Sequence, residues 1–571
     1  MTSYDRKPAK RVPNCSRQVW HGIAQIQDCL GKRLSGDSWR LVIECYPGVT
    51  EAVVQTIAAG LSPDVIFCTR DILKEGEQLE TLLAPVLTED RVFGRMFYGD
   101  LMDFVDREKL AQMQYRIRTE GGKQVICGFG ASLVCQGDLL VCVDISRWEI
   151  QLRYRKGMPN YLTDNPGEDL LKKVKQGFFL EWRIGDKVKL SALKQMDYYI
   201  DANHDQGLVM TDRPLFERLL QINAGEPFRT VPYFDVGVWG GHWMEEVCGL
   251  EPRKDNYAWN FDGVPEENSL LFNLDGITLE MPAMNLVLLH PKELLGQKVY
   301  ARFGAEFPIR FDFLDTMGGQ NLSLQVHPSA EYIRKQFGMP YTQDESYYIL
   351  DAREDSCVYL GLKEETDISQ MVEALEIAQR DGTVFDAEKY INRLPAKKHD
   401  HFLIPAGTCH CSGKNTMVLE ISATPYIFTF KLWDWGRLGL DGKPRPVHIQ
   451  HGKHVIEDRR SRWVKENLVN ARRTIQDTEA FTEEHTGLHE LEFIETRCFT
   501  IRDRAEIDGH ESVNMLNLVD GKVCVVESLD GSFEDYEVHY AETFIVPASV
   551  GRYRIRAVEG AIKVIQAYVR V

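Results

Sequence analysis

The stretch SLQVHPSAEY, Ser323 to Tyr332, constrains the fold more than any other in this chain. It sets Gln325 and His327 two residues apart in a segment that reads as a strand. Side chains alternate faces along a strand, so these two point the same way. Neutral imidazole is the commonest protein metal ligand, and a neighbouring amide oxygen can add a second bond. Two later stretches extend the theme: DESYYIL, Asp344 to Leu350, offers Glu345, and FLIPAGTCH, Phe402 to His410, offers His410. Gln325, His327, Glu345 and His410 on neighbouring strands of one barrel would make a nitrogen and oxygen site of the kind Zn²⁺ accepts. Fe²⁺, Mn²⁺ and Co²⁺ suit such donors as well. If His410 points inward, strand alternation turns Cys409 and Cys411 outward and keeps thiolates out of the set.

These motifs occur in a fixed order with others. VWGGHWM (Val238 to Met244) precedes them, FTFKLWDWGR (Phe428 to Arg437) follows, and FIVPA (Phe544 to Ala548) stands near the end. The series resembles the type I mannose-6-phosphate isomerases, metal-dependent cupins, over about residues 230 to 571. The resemblance implies two jelly-roll barrels, a metal held by Gln325, His327, Glu345 and His410, and interconversion of mannose 6-phosphate and fructose 6-phosphate through an enediol. Glu420, in VLEIS, matches a family glutamate and is an acid/base candidate whose other reading is a residue that orients a ligand. Ser323 is kept as a phosphate hydrogen-bond donor, and Lys431 stands where the family has Arg, in both the catalytic and the substrate-binding sets. Glu331 also has a cupin spacing after His327. The helical pattern of HPSAEYIRKQFG carries it away from the barrel, which favours Glu345.

Several family positions are changed. Gln343 replaces a Lys two residues before the metal Glu, Asp312 replaces another Lys with Arg310 nearby, and Trp259-Asn260 replaces Trp-Glu. Lys431 attracts phosphate as a point charge but lacks the fork of Arg. The resemblance therefore constrains metal and fold more tightly than substrate. The competing function is a sugar- or metal-binding regulatory cupin without turnover.

Residues 1 to 225 read differently. Apolar runs at Trp39 to Cys45, Asp64 to Cys68, Val125 to Cys127 and Leu139 to Val143 alternate with helical stretches such as Thr50 to Leu61, which predicts an α/β layer with a largely parallel sheet. IECYPGVTE lies where a P-loop would, yet only Gly48 and Thr50 fit GxxxxGK[ST]; Ile43 and Val49 hold the first Gly and the Lys positions. Asp144 could mimic a magnesium-binding acid, and Arg147, Arg153, Arg155 and Lys156 a nucleotide-kinase lid or a solvated basic face. The layout vaguely resembles a P-loop kinase with its phosphate loop degraded, so a nucleotide is a weak partner expectation and a structural or regulatory module the stronger one.

The fold class expected is thus multidomain: an α/β domain over 1–225, a metal-binding cupin over 226–490 with a helical insert at about 366–395, and a second, metal-free cupin-like barrel over 491–571. The insert is signalled by Asp367 and Gln370 as a capping pair, Ile368, Met371, Val372 and Leu375 at helical spacing, and Gly382 as the stop. Asp441-Gly442, Asp520-Gly521 and Asp530-Gly531 are hairpin dipeptides. Thirteen cysteines without a CxxC pair predict free thiols in a reducing, cytoplasmic setting. The net charge of −18 disfavours nucleic acid or an anionic membrane as partner. No apolar stretch of about 18 residues predicts a membrane span, and the polar N-terminus lacks a secretory pattern.

Overall fold

The computed structural model describes residues 3–424, 427–487 and 489–570. Two compact units emerge. One comprises Ala9–Ile222 with Pro265–His290, the other Met1–Pro8, Asn223–Val264 and Pro291–Val571.

The first unit is built on a seven-stranded sheet. Its strands run, in space, Val19–His21, Val209–Asp212, Tyr198–Asp201, Leu139–Asp144, Trp39–Cys45, Lys123–Gly128 and Val65–Cys68. The last five are mutually parallel; Val209–Asp212 pairs antiparallel to Tyr198–Asp201, and Val19–His21 antiparallel to Val209–Asp212. A parallel sheet is covered on both faces, which is why Trp39–Cys45 is a near-continuous apolar run rather than an alternating one. The four strand runs and the Glu51–Ala59 helix lie where the sequence places them.

The domain boundaries differ from those expected, and the residues up to Pro8 group with the cupin unit rather than the α/β unit. The segment Pro265–His290, expected within the cupin, belongs to the α/β unit. It forms a hairpin, Ser269–Leu274 with Ile277–Pro282, and Ala9–Val12 pairs parallel to its first strand. Asp275-Gly276, both at positive φ, make the turn. The Asp275 carboxylate accepts the backbone N–H groups of Asn14, Cys15 and Ser16 at 2.9–3.1 Å. That bond set is invisible to a local reading because it spans some 260 residues.

The second unit holds two barrels. The first pairs a six-stranded sheet (His401–Ile404, Glu345–Ala352, Thr416–Ala423, Ile309–Asp315, Tyr257–Gly263, Tyr233–Gly241) with a five-stranded one (Ile391–Pro395, Cys357–Leu362, His410–Ser412, Leu324–Val326, Phe430–Trp433). Its helical insert is Ile368–Asp381, capped by the Asp367 side chain accepting the Gln370 N–H at 3.0 Å, buried through Met371 and Leu375, and ended by Gly382 at φ +68°. The second barrel starts earlier than residue 491: Arg473–Asp477 and Phe481–Gly487 already belong to its six-stranded sheet, which faces a four-stranded one. Its interior is apolar, with Phe499, Leu516, Val526, Phe544, Ile555 and Val564 among the buried side chains.

Candidate metal centre

The interior of the first barrel is polar. Antiparallel partners share a face, so register alone sorts its lining. On the six-stranded sheet, Asp312 pairs with Glu420 and Glu420 with Tyr347, while Glu345 and Arg310 both pair with Ser422. On the opposite sheet Gln325 pairs with His410 on one side and with Lys431 on the other. His327 follows one residue beyond its strand.

Three of the four sequence-predicted ligands converge. Ligand atoms of His327, Glu345 and His410 all lie within 4.8 Å of one another, and all three residues are buried. His327 Nε2 is 3.1 Å from Glu345 Oε2, and His410 Nε2 is 2.8 Å from Glu345 Oε1. The contacts are short but misaligned, so His327 Nε2 and Glu345 Oε1 are left without a hydrogen bond. The far side of each ring sets its tautomer. His327 Nδ1 faces the Phe428 carbonyl at 3.3 Å and His410 Nδ1 the Thr408 carbonyl at 2.8 Å. A carbonyl only accepts, so each Nδ1 carries the proton and each Nε2 presents a lone pair inward. The Gln325 amide lies 3.2 Å from His410 Nε2; turned by half a rotation about its last bond, it offers oxygen at the same place. Converging imidazole and carboxylate donors with unmet valence fit a divalent ion such as Zn²⁺.

Burial penalises the imidazolium of His327, but the Glu345 carboxylate, the Phe428 carbonyl and Asp344 together draw that pKa up. Gln343, where the resemblance expects a Lys, donates to Glu345 Oε2 at 3.0 Å and fixes the carboxylate. Glu331 sits exposed on the Ala330–Phe337 helix, apart from the cluster. Glu420 is 6 % exposed. Burial, then Glu345 and Asp312, push its carboxyl well above the usual range. Asp312 is itself paired with Arg310, Oδ2 to Nε 2.7 Å.

Beside this row lies a cationic cluster that the sequence reading caught only in part. Ser323 Oγ donates to Asp434 Oδ1 at 2.7 Å. Arg437 and Arg445 bind the same carboxylate at 2.5 and 3.1 Å, and Arg445 reaches Ser323 Oγ at 3.4 Å. Burial, reinforced by Arg445, lowers Lys431 to about 7. Two guanidiniums thus share one carboxylate, with Lys431 nearby, a surplus of positive charge. Arg445 went unnoticed in the sequence because its loop, eleven residues past Asp434, carries no strand or helix signal.

The α/β unit presents the opposite picture, and its kinase-like expectations need correction. Asp144 is salt-bridged to Lys189 Nζ at 3.0 Å and accepts from Asn285 Nδ2 at 2.9 Å and Tyr199 Oη at 3.3 Å. Arg147 and Arg153, read as part of a lid or a solvated face, are 8 % exposed; they pair with Asp186 and with Glu149 and Asp205. Glu44 accepts the N–H groups of Gly130 and Ser132 at 2.6 and 2.8 Å, donors that a phosphate would otherwise use. At the P-loop position, Gly48 packs so closely that a Cβ would lie 2.6 Å from Ile150. Asp144, Arg147, Arg153 and the Gly130 and Ser132 N–H groups are thus engaged by the chain itself.

Among the described residues no helix is long and apolar enough to cross a membrane. A family profile described as "Domain of unknown function (DUF8485)" matches residues 22–224, most of the α/β unit. Mannose-6-phosphate isomerase ManA of Bacillus subtilis (strain 168) is 28% identical over 237 residues, 41% of this chain and 68% of that protein. The probable mannose-6-phosphate isomerase GmuF of the same organism is 27% identical over 234 residues, 40% and 68% of the two chains. A solved structure of the mannose 6-phosphate isomerase from Bacillus subtilis covers 60% of this chain and 100% of its own at 18% identity, with a TM-score of 0.49. In sequence, the chain is mannose-6-phosphate isomerase-like over about two fifths of its length.

Proposed function

We propose that the chain is a metal-dependent aldose–ketose isomerase of a sugar phosphate, with mannose 6-phosphate and fructose 6-phosphate as its substrate pair. The observation that carries this reading is one barrel interior that holds both unmet metal donors and, on the adjoining strand, a cationic surplus suited to a phosphate. His327, Glu345, His410 and the Gln325 amide oxygen would hold the ion, with Zn²⁺ first among the candidates. When bound, the ion supplies Lewis-acid polarisation of adjacent substrate oxygens.

The remaining roles belong to side chains. Ser323, Lys431 and Arg445 bind the phosphate, the Arg with the fork that Lys lacks. A phosphate dianion beside Lys431 restores the ammonium that burial discourages. Glu420, shielded on the inward face with its carboxyl pushed upward by burial, is the acid/base that moves a proton between C2 and C1 through the enediol. Lys431, near 7, is a second group able to exchange a proton at neutral pH. Gln343 keeps the Glu345 carboxylate oriented.

The test is NMR of metal-loaded protein in D₂O with either sugar phosphate, beside the Gln325→Ala, His327→Ala double variant. Ketose–aldose conversion that the double variant loses, with deuterium appearing at C1 or C2, is the expected result. Neither conversion nor exchange from fully metal-loaded protein would sink the isomerase reading and leave a binding protein.

A further inference from the structure

Three cysteines stand side by side at the carboxyl edge of the parallel sheet. Cys45 ends the Trp39–Cys45 strand, Cys127 is the penultimate residue of Lys123–Gly128, and Cys68 ends Val65–Cys68, with the strands adjacent in that order. Cys68 and Cys127 are direct Cα partners in the parallel register, so their side chains leave the same face. Neighbouring strands lie about 4.8 Å apart, inside the roughly 4.4–6.8 Å Cα separation that disulfides span.

The two thiols are chemically unequal. Cys127 faces Cys68 across the parallel register, and its thiol and the Arg70 backbone N–H are the polar neighbours that act on the Cys68 sulfur. Both contacts favour a thiolate at Cys68. The first outweighs burial and the repulsion of Asp71 and Glu51, bringing Cys68 down to about 7. The same contact, with burial, drives Cys127 up. Cys68 is partly exposed, whereas Cys127 and Cys45 are buried. Cys45 points its thiol at the Ile43 carbonyl, 3.7 Å away, and burial pushes it up too. A reactive, reachable thiol therefore sits directly beside a protected one.

We propose that Cys68 and Cys127 form a reversible thiol–disulfide pair, with Cys68 the thiol that reacts with a peroxide and Cys127 the one that resolves it. The Cys68 thiolate attacks one peroxide oxygen. The O–O bond breaks, hydroxide leaves, and the sulfur is oxidised by two electrons to the sulfenic acid. The Cys127 sulfur then attacks Cys68, the S–S bond forms, the S–O bond breaks, and the departing hydroxide takes the Cys127 proton as water. A dithiol reductant reverses the link by exchange.

The experiment uses the full chain, reduced and then treated with a small excess of hydrogen peroxide near pH 8. Peptide mapping under denaturing alkylation should find two of the thirteen thiols lost to one Cys68–Cys127 link, fully recovered by dithiothreitol. Cys68→Ser should abolish the link, Cys45→Ser should keep it, and Cys127→Ala should stop Cys68 at the dimedone-reactive sulfenic acid. Wild-type alkylation rates cover the case where Cys127→Ala misfolds: Cys68 should react at least about tenfold faster at neutral pH than Cys135, the other partly exposed thiol. Equal rates at Cys68 and Cys135, a link through Cys45, or overoxidation of Cys68 without a link would each overturn the proposal.

Discussion

Asp144 in the α/β unit and Glu345 in the first barrel are both nearly inaccessible, at 2 % and 1 % exposure. Their surroundings differ. Asp144 receives Lys189, Asn285 and Tyr199, so its charge and lone pairs are met from within. Glu345 receives Gln343 on one oxygen and two imidazole nitrogens in poor hydrogen-bond geometry, with one oxygen and His327 Nε2 left over. Burying polar groups without partners costs about 1–3 kcal/mol each. A chain keeps such a cluster where something else satisfies it. Sequence suggests ligand chemistry at both acids; the degree to which their polar atoms are satisfied separates them.

The contrast can be broken by substitution. His410→Ala should lower metal affinity by more than the roughly 100-fold that loss of an outer-shell partner costs, with isomerisation falling in proportion. Metal analysis of purified protein alongside turnover checks this, and a variant that keeps its metal would remove His410 from the ligand set. Lys189→Met should act on stability instead. Stranding a buried carboxylate costs about 3–5 kcal/mol, read as a lower denaturant midpoint, while metal content stays unchanged. A Lys189→Met protein that unfolds normally but loses turnover would make Asp144 functional after all.

Arg445→Ala sharpens the comparison within the barrel. A charge-assisted hydrogen bond contributes about 1.5–3 kcal/mol, so KM for the sugar phosphate should rise about 10- to 100-fold while binding of the unphosphorylated sugar barely moves. Equal losses for both would point to a packing role for the loop.

A pH effect concerns His401. Burial, with Arg472 and His485 adding to it, lowers its pKa to about 3, against about 6.5 in an unfolded chain. Between those values the unfolded state binds the proton and the folded state does not. The stability this residue contributes is complete above about pH 6.5 and is lost as pH falls toward 3. His401→Phe should therefore narrow the gap between urea midpoints at about pH 7 and about pH 4.5. An unchanged gap would mean that other groups carry the acid sensitivity.

Much of this was legible beforehand. The strands at Trp39–Cys45 and Leu139–Asp144, the insert helix from Ile368 and the four proposed ligands all announce themselves through short-range pattern: apolar runs, a capping Asp, and an i, i+2 pair beside a strand motif. Less legible were features made by distant partners. Asp275-Gly276 is as good a turn signal as Asp520-Gly521, but nothing local tells that its hairpin joins the Ala9–Val12 strand. Arg147 and Arg153 look like surface cations until their carboxylates arrive from other segments.

The sequence by itself determined the periodicities, the caps and turns, and which residues share a strand face, because these depend on neighbours within a few positions. Only the tertiary structure decided which polar groups are satisfied. Asn285 reaches Asp144 across 141 residues and Arg445 reaches Ser323 across 122, and strand pairing sets Glu420 between Asp312 and Tyr347. Charge, pKa and ligand capacity follow from those meetings, since the energy of a buried polar atom depends on what surrounds it in space rather than on what precedes it in the chain.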